Sequence, residues 1–115
     1  MPKEVDAITK IYDYLLWIIP KLEKFPRNQK FLLADRIENT LLDILMLLIE
    51  AAYSKKKSSL LQNANLKLEQ LRYLIRLSKD LKLLSIKSYE FSARAINDVG
   101  VSIGGWLKYT YCENL

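Results

Sequence analysis

At 115 residues, half of them hydrophobic, the chain has enough apolar side chain for one core and hardly for two, so one domain spanning 1–115 is expected. Three glycines and three prolines, the prolines all before Arg27, leave too few turn formers for a β sandwich or barrel and favour long helices. The net charge of +5 is moderate and favours an anionic partner, while the absence of histidine removes the commonest general base and metal ligand.

Residues Met1 to Asp6 mix charges and lack the basic start and apolar run of a signal peptide. From there Val5, Ile8, Tyr12, Leu15, Ile19 and Leu22 recur in steps of three and four, the spacing of one helical face. Pro20 lies inside this first helix and should kink it or loosen its last turn, because it brings no N–H to the backbone ladder. Lys24-Phe25-Pro26-Arg27-Asn28 breaks the pattern, with Asn28 suited to cap the second helix.

That second helix is expected to run to about Tyr53, with Phe31, Ala34, Ile37, Leu41, Ile44, Leu48 and Ala51 on one seam. Leu33, Leu42, Leu45 and Ile49 widen that seam, as a helix with more than one neighbour requires. The greasy run from Leu41 to Ile49 contains Asp43 and falls far short of the roughly 20 residues of a membrane span, so no membrane crossing is expected.

Ser54-Lys55-Lys56-Lys57-Ser58 reads as a polar connection, and Ser59 with Gln62 three residues on has the form of a capping box. Helix three then carries Leu61, Ala64, Leu68, Leu71, Ile75 and Ser78 on one line, and Leu74, Leu77, Leu81 and Leu84 on the next. A break near Ser85 to Ser88 precedes helix four, with Tyr89, Ala93, Ile96, Gly100, Ile103 and Leu107 at the same spacing. Short connections make neighbours antiparallel, so the expected fold is all-α: an up-down-up-down four-helix bundle.

Catalytic chemistry is hard to assemble from these residues. The lone Cys112 has no disulfide partner and no histidine to complete a zinc site; it reads as a half-buried thiol near the end of helix four, consistent with a cytoplasmic location. The Glu-x-x-His pairs of di-iron bundles cannot be written. Asp35, Glu38 and Asp80 sit beside Arg36 and Lys79 and read as solvated or ion-paired. Gly104-Gly105 falls within a helical pattern, unlike a phosphate-binding loop. A non-enzyme without cofactor, metal or small-molecule substrate is expected.

Three groups of residues are candidates for binding. Arg72, Arg76 and Lys79, spaced four and three, put three mutually repelling cations on one face of helix three, with Tyr73 beside them as a stacking surface. Arg27 and Lys30 at one end of helix two, and Lys55 to Lys57 at the other, form two smaller basic groups. Gly100, Gly104 and Gly105 each cost roughly 1 kcal/mol in a helix relative to alanine, which calls for close approach by another helix, within the bundle or across a subunit boundary. Trp106 and Tyr109 would add a large apolar contact there, so Gly100, Gly104, Gly105 and Trp106 are the candidate oligomer interface.

Three separated motifs carry a family resemblance. They are Phe25-Pro26-Arg27-Asn28-Gln29-Lys30-Phe31 with Asp35-Arg36-Ile37, Leu71-Arg72-Tyr73-Leu74-Ile75-Arg76-Leu77 with Asp80-Leu81, and Ile96-Asn97-Asp98-Val99-Gly100 with Gly104-Gly105-Trp106-Leu107-Lys108. Over nearly its whole length the chain resembles the Avd proteins, the accessory variability determinants of diversity-generating retroelements. These are similar in turn to the four-helix-bundle proteins encoded in 23S rRNA intervening sequences. The resemblance implies a homopentamer of bundles with a basic surface that binds a reverse transcriptase and its template RNA, the polymerase doing the chemistry of mutagenic cDNA synthesis. It places Arg72 and Arg76 where the family presents basic residues to partners. Val101 stands where many relatives carry a basic residue after the glycine, which weights protein contact above direct RNA contact. It also keeps the rRNA-insert type open: an interaction module without a polymerase partner.

Overall fold

In the computed structural model, which describes the backbone of residues 3–113 and the side chains of 6–111, four helices and no strand occur among the described residues. Helix α1 (Lys3–Leu22) buries Ala7, Ile11, Tyr14, Leu15, Ile18 and Leu22. The inward line is thus displaced by about one residue from the expected one. Leu15 and Leu22 are shared, Ile8 and Ile19 form a half-buried rim, and Tyr12 is exposed. A helix touching two neighbours turns the bisector of its two contacts inward, so a rim line of similar hydrophobicity can pass for the core line. The side chains of Val5 and Cys112 lie outside the described residues.

Pro20 does not end α1. The ladder resumes with the Glu23 N–H on the Ile19 carbonyl at 3.1 Å, and the chain then tightens into i→i+3 bonds, Lys24 N–H to Lys21 O and Phe25 N–H to Leu22 O. Phe25 is buried by this turn.

Helix α2 (27–53) is composite: a turn at Arg27–Gln29, five residues of π-helix at Lys30–Ala34, and a regular α-helix at Asp35–Tyr53. Pro26, with φ −56°, occupies the cap position and no side chain caps the turn, so the Asn28 cap is not formed. Proline fixes an entry φ compatible with the first turn and has no N–H to leave unpaired. In the π segment the Asp35 N–H reaches back to the Lys30 carbonyl, five residues away. This wider turn takes Phe31 off the expected seam: it is 71% exposed and Leu32 lies beside it in solvent, while Leu33 and Ala34 turn inward. Beyond it the seam is as expected, and Ile37, Leu41, Ile44 and Leu48 are fully buried, each worth about 1.5–3 kcal/mol against an exposed position.

Helix α3 (Lys57–Asp80) buries Leu61, Ala64, Leu68, Leu71, Ile75 and Ser78, the line the spacing picks out. Its expected capping box is absent. The helix starts earlier, at Lys57 without a side-chain cap, and the Gln62 amide instead donates to the Tyr111 hydroxyl at 2.6 Å. Helix α4 (Ile86–Glu113) begins one turn before Tyr89; Ile96, Val99, Ile103 and Trp106 point inward, and Tyr89, Ala93, Gly100 and Leu107 form its half-buried flank.

Each helix packs on two others, α1 on α2, α2 on α3, α3 on α4, and α4 back on α1, in a body 49 × 23 × 20 Å. The turns at 23–26, 54–56 and 81–85 are too short for anything but antiparallel neighbours. The α1–α4 seam closes the ring with polar groups. Lys10 Nζ donates to Ser102 Oγ at 2.9 Å, Ser102 Oγ donates to Asp6 Oδ2 at 2.5 Å, and the Tyr14 hydroxyl donates to Ser92 Oγ at 2.8 Å. Trp17 stacks on Phe91 with centroids 4.2 Å apart, below the Lys21 ammonium. Because these polar groups are satisfied across the seam by partners at fixed positions, they fix the register of α1 on α4 more tightly than apolar contact would.

The turn after α3 holds a backbone conformation unusual for its residue. Leu83 N–H bonds Ser78 O at 2.8 Å and Lys82 N–H bonds Lys79 O at 2.9 Å, a Schellman closure whose left-handed position is Lys82, with φ 63°. Glycine is the residue this position favours, and a side chain there costs about 1 kcal/mol. Lys82→Gly should therefore raise unfolding stability by about 0.5–1 kcal/mol. A chemical denaturation curve showing no gain would mean that the Lys82 side chain makes good the strain.

Candidate partner-binding face

The steps of four and three between Arg72, Arg76 and Lys79 do place them on one ridge of α3, on its α4 side, and the three behave differently. Arg72 is held on two sides: its Nε–H donates to Glu69 Oε1 at 2.9 Å, and its Nη2 stands 3.1 Å from the point a Cβ on Gly100 would occupy. Its side chain is 35% exposed. Lys79 is held too, 3.4 Å from Asp80 Oδ1 and 4.6 Å above the Tyr89 ring of α4. Arg76 between them is the open one, 63% exposed with only a 3.9 Å approach to Asp80 Oδ2. Ion pairs at such exposure are worth about 0–1 kcal/mol, so a partner's carboxylate or phosphate can displace them at small cost.

Gly100 therefore has an occupant inside the subunit. The absent side chain leaves room for the Arg72 guanidinium and Leu68, the close approach within the bundle that the glycine spacing allows. Trp106, at 2% exposure, has its ring in the core of its own subunit. Gly104 differs from both. It is exposed, and beyond its own stretch of helix backbone no atom lies within 4 Å of where its Cβ would stand. Gly105 is half-buried.

Arg27 and Lys30 do not join the α3 ridge. Both lie exposed at the start of α2, Lys30 lining a cleft against α1 with Glu23, Asp35 and Glu38, on another side of the bundle. Lys57 is tied down as well, its ammonium donating to the Ala51 and Ala52 carbonyls at the end of α2. Sequence spacing alone did not find the α2–α3 groove, about 560 Å³, where Arg36, Asn39 and Thr40 face Lys67, Gln70 and Tyr73. Its members come from two helices, so no single-helix periodicity reveals it. Among the described residues no group of three or more His, Cys, Asp or Glu is placed to hold a metal, and no helix is long and apolar enough to cross a membrane.

What the fold and site define is an all-α bundle with an open cationic ridge on its third helix. The sequence profile described as bAvd-like matches residues 7–110, nearly the whole described length, and the chain belongs to that family. Neither the search of curated proteins nor that of solved structures found a match.

Proposed function

We propose that this chain is a single-domain, cytoplasmic, non-catalytic accessory subunit of a diversity-generating retroelement, assembling as a homopentamer that binds the reverse transcriptase and its template RNA. The observation that carries the reading is membership of the bAvd-like family over residues 7–110. It is supported by the α3 ridge, where Arg76 is available to a partner and Arg72 is aimed by Glu69 and the Gly100 gap. In a pentamer the net charge of each copy adds to a field able to steer RNA, with affinity falling as salt rises.

The test is co-purification with a reverse transcriptase encoded beside the gene. Arg72→Ala with Arg76→Ala should weaken that complex at least tenfold, on the scale of charged interface contacts. An unchanged complex would remove the ridge from the interface, and no complex at all would remove the polymerase partner. Glu69 and Asp80 lie against the ridge's cations and offset part of their charge, which favours a second reading: a module of the 23S rRNA-insert type without a polymerase partner. A gene lying within 23S rRNA, with no reverse transcriptase or template repeat nearby, would select it.

The oligomer draws support from Gly104, whose bare backbone on the outer side of α4 lets another chain approach closely, with Val101 exposed one turn before it. Within one subunit Gly104→Ala meets no obstacle and should add up to about 1 kcal/mol of helix stability. Across a subunit contact the same methyl group would intrude. We expect a higher unfolding midpoint together with a smaller particle by sedimentation; a higher midpoint with unchanged particle size would exclude Gly104 from the interface.

A further inference from the structure

The α2–α3 groove has a composition unlike a helix-docking surface. Such surfaces present an apolar stripe, whereas here the accessible groups are a guanidinium, an ammonium paired with a carboxylate, two carboxamides and one aromatic ring. Tyr73 is 69% exposed, so a face of its ring is available for stacking. Arg36 is exposed and makes no ion pair among the described residues, although Asp43 lines the same groove; that carboxylate pairs instead with Lys67 at 3.7 Å. The Thr40 hydroxyl is committed to the Arg36 carbonyl at 2.7 Å, which leaves the amides of Asn39 and Gln70 as the free groups with both donors and acceptors.

A flat ring to stack on, a cation with no acid of its own and two amides beside them match three parts of one ligand: the face of a base, its phosphate and its hydrogen-bonding edge. We propose that this groove is a stacking site for an unpaired base of single-stranded RNA, with Tyr73 as the platform, Arg36 on the backbone phosphate, and Asn39 and Gln70 at the base edge. At about 560 Å³ the groove is within the size range of small-ligand pockets and has room for one nucleotide. A duplex keeps its bases stacked on each other and so offers Tyr73 nothing. The proposal rests on the RNA half of the proposed function and adds to it a place on the molecule and a preference for single strands.

The experiment is fluorescence anisotropy of the full chain with a 5′-fluorescein oligoadenylate of about ten nucleotides, alongside an RNA duplex of the same length. Tyr73→Ala should weaken single-strand binding roughly 5- to 100-fold and leave duplex binding unchanged, while Tyr73→Phe, which keeps the ring, should bind like the parent. Arg36→Ala should weaken the single strand and lower the slope of log affinity against log salt by about 0.7. Arg76→Ala, outside the groove, tests the ridge. If it weakens RNA binding while Tyr73→Ala does nothing, the groove is wrong and the RNA reading stands. If no protein binds either probe at low salt, the RNA reading falls and the groove with it. If Tyr73→Ala instead abolishes co-purification with the reverse transcriptase after nuclease treatment and spares oligoadenylate binding, the groove belongs to a protein partner and the proposal is overturned.

Discussion

Trp106→Ala is expected to cost about 3–5 kcal/mol of unfolding free energy, the largest single-residue loss in the molecule. Trp106 is the bulkiest of the fully buried side chains and the fourth of the inward residues Ile96, Val99, Ile103 and Trp106. Its removal deletes transfer free energy and leaves a cavity that the neighbouring helices close only in part. Domains of this size hold about 5–15 kcal/mol in total, so the variant should lose much of its resistance to urea, against Ile103→Val, a cost of only about 0.5–1.5 kcal/mol. The position of the ring gives the measurement a second readout. A tryptophan packed inside its own subunit loses the same free energy at every protein concentration, whereas one packed on a neighbour would show a cost that vanishes on dilution. Urea unfolding at two concentrations a hundredfold apart decides between them, and a concentration-dependent cost would place Trp106 at the interface.

The helical class was legible because its signal is redundant: on α3 all six residues of the expected line are buried. What escaped were features set by two stretches of chain at once. Phe31 fits the α2 seam at ordinary helical spacing, and only the π segment at Lys30–Ala34 takes it out. Nothing in Lys30-Phe31-Leu32-Leu33-Ala34 marks that segment, since every residue in it is a competent α-helix former. Gln62 looked like the return half of a capping box because its true partner, Tyr111, is on another helix. The cationic ridge shows the same division. That Arg72, Arg76 and Lys79 share a face follows from their spacing, but that Gly100 makes room for Arg72 depends on the rotation of α4 against α3. The two motifs, read separately as a cationic patch and a glycine contact, meet in one arrangement.

The polar α1–α4 seam leads to an expectation about alkaline solution. Tyr14 is almost wholly buried, and burial pushes its phenol well above the ordinary value of 10.0, against the smaller opposing effect of the Ser92 hydrogen bond. The folded state thus holds Tyr14 neutral while the unfolded chain ionises at the ordinary value. A group raised on folding gives its full stabilisation below the unfolded value and loses it as pH climbs past that point, so the loss begins near pH 10 and grows by about 1.4 kcal/mol for each further unit. Tyr14→Phe removes the titrating group and the hydrogen bond together. At neutral pH it should be less stable than the parent by about 1 kcal/mol, because the buried Ser92 hydroxyl loses its partner on α1. Above pH 10 the parent should fall faster, and the two curves should cross within about one unit of pH, at which the linkage loss has overtaken the bond. Every other ionisable group is common to the two proteins and cancels in the difference. Guanidinium unfolding of the pair from neutral to strongly alkaline pH measures it, and two curves that stay parallel throughout would mean that the Tyr14 phenol reaches water in the folded protein.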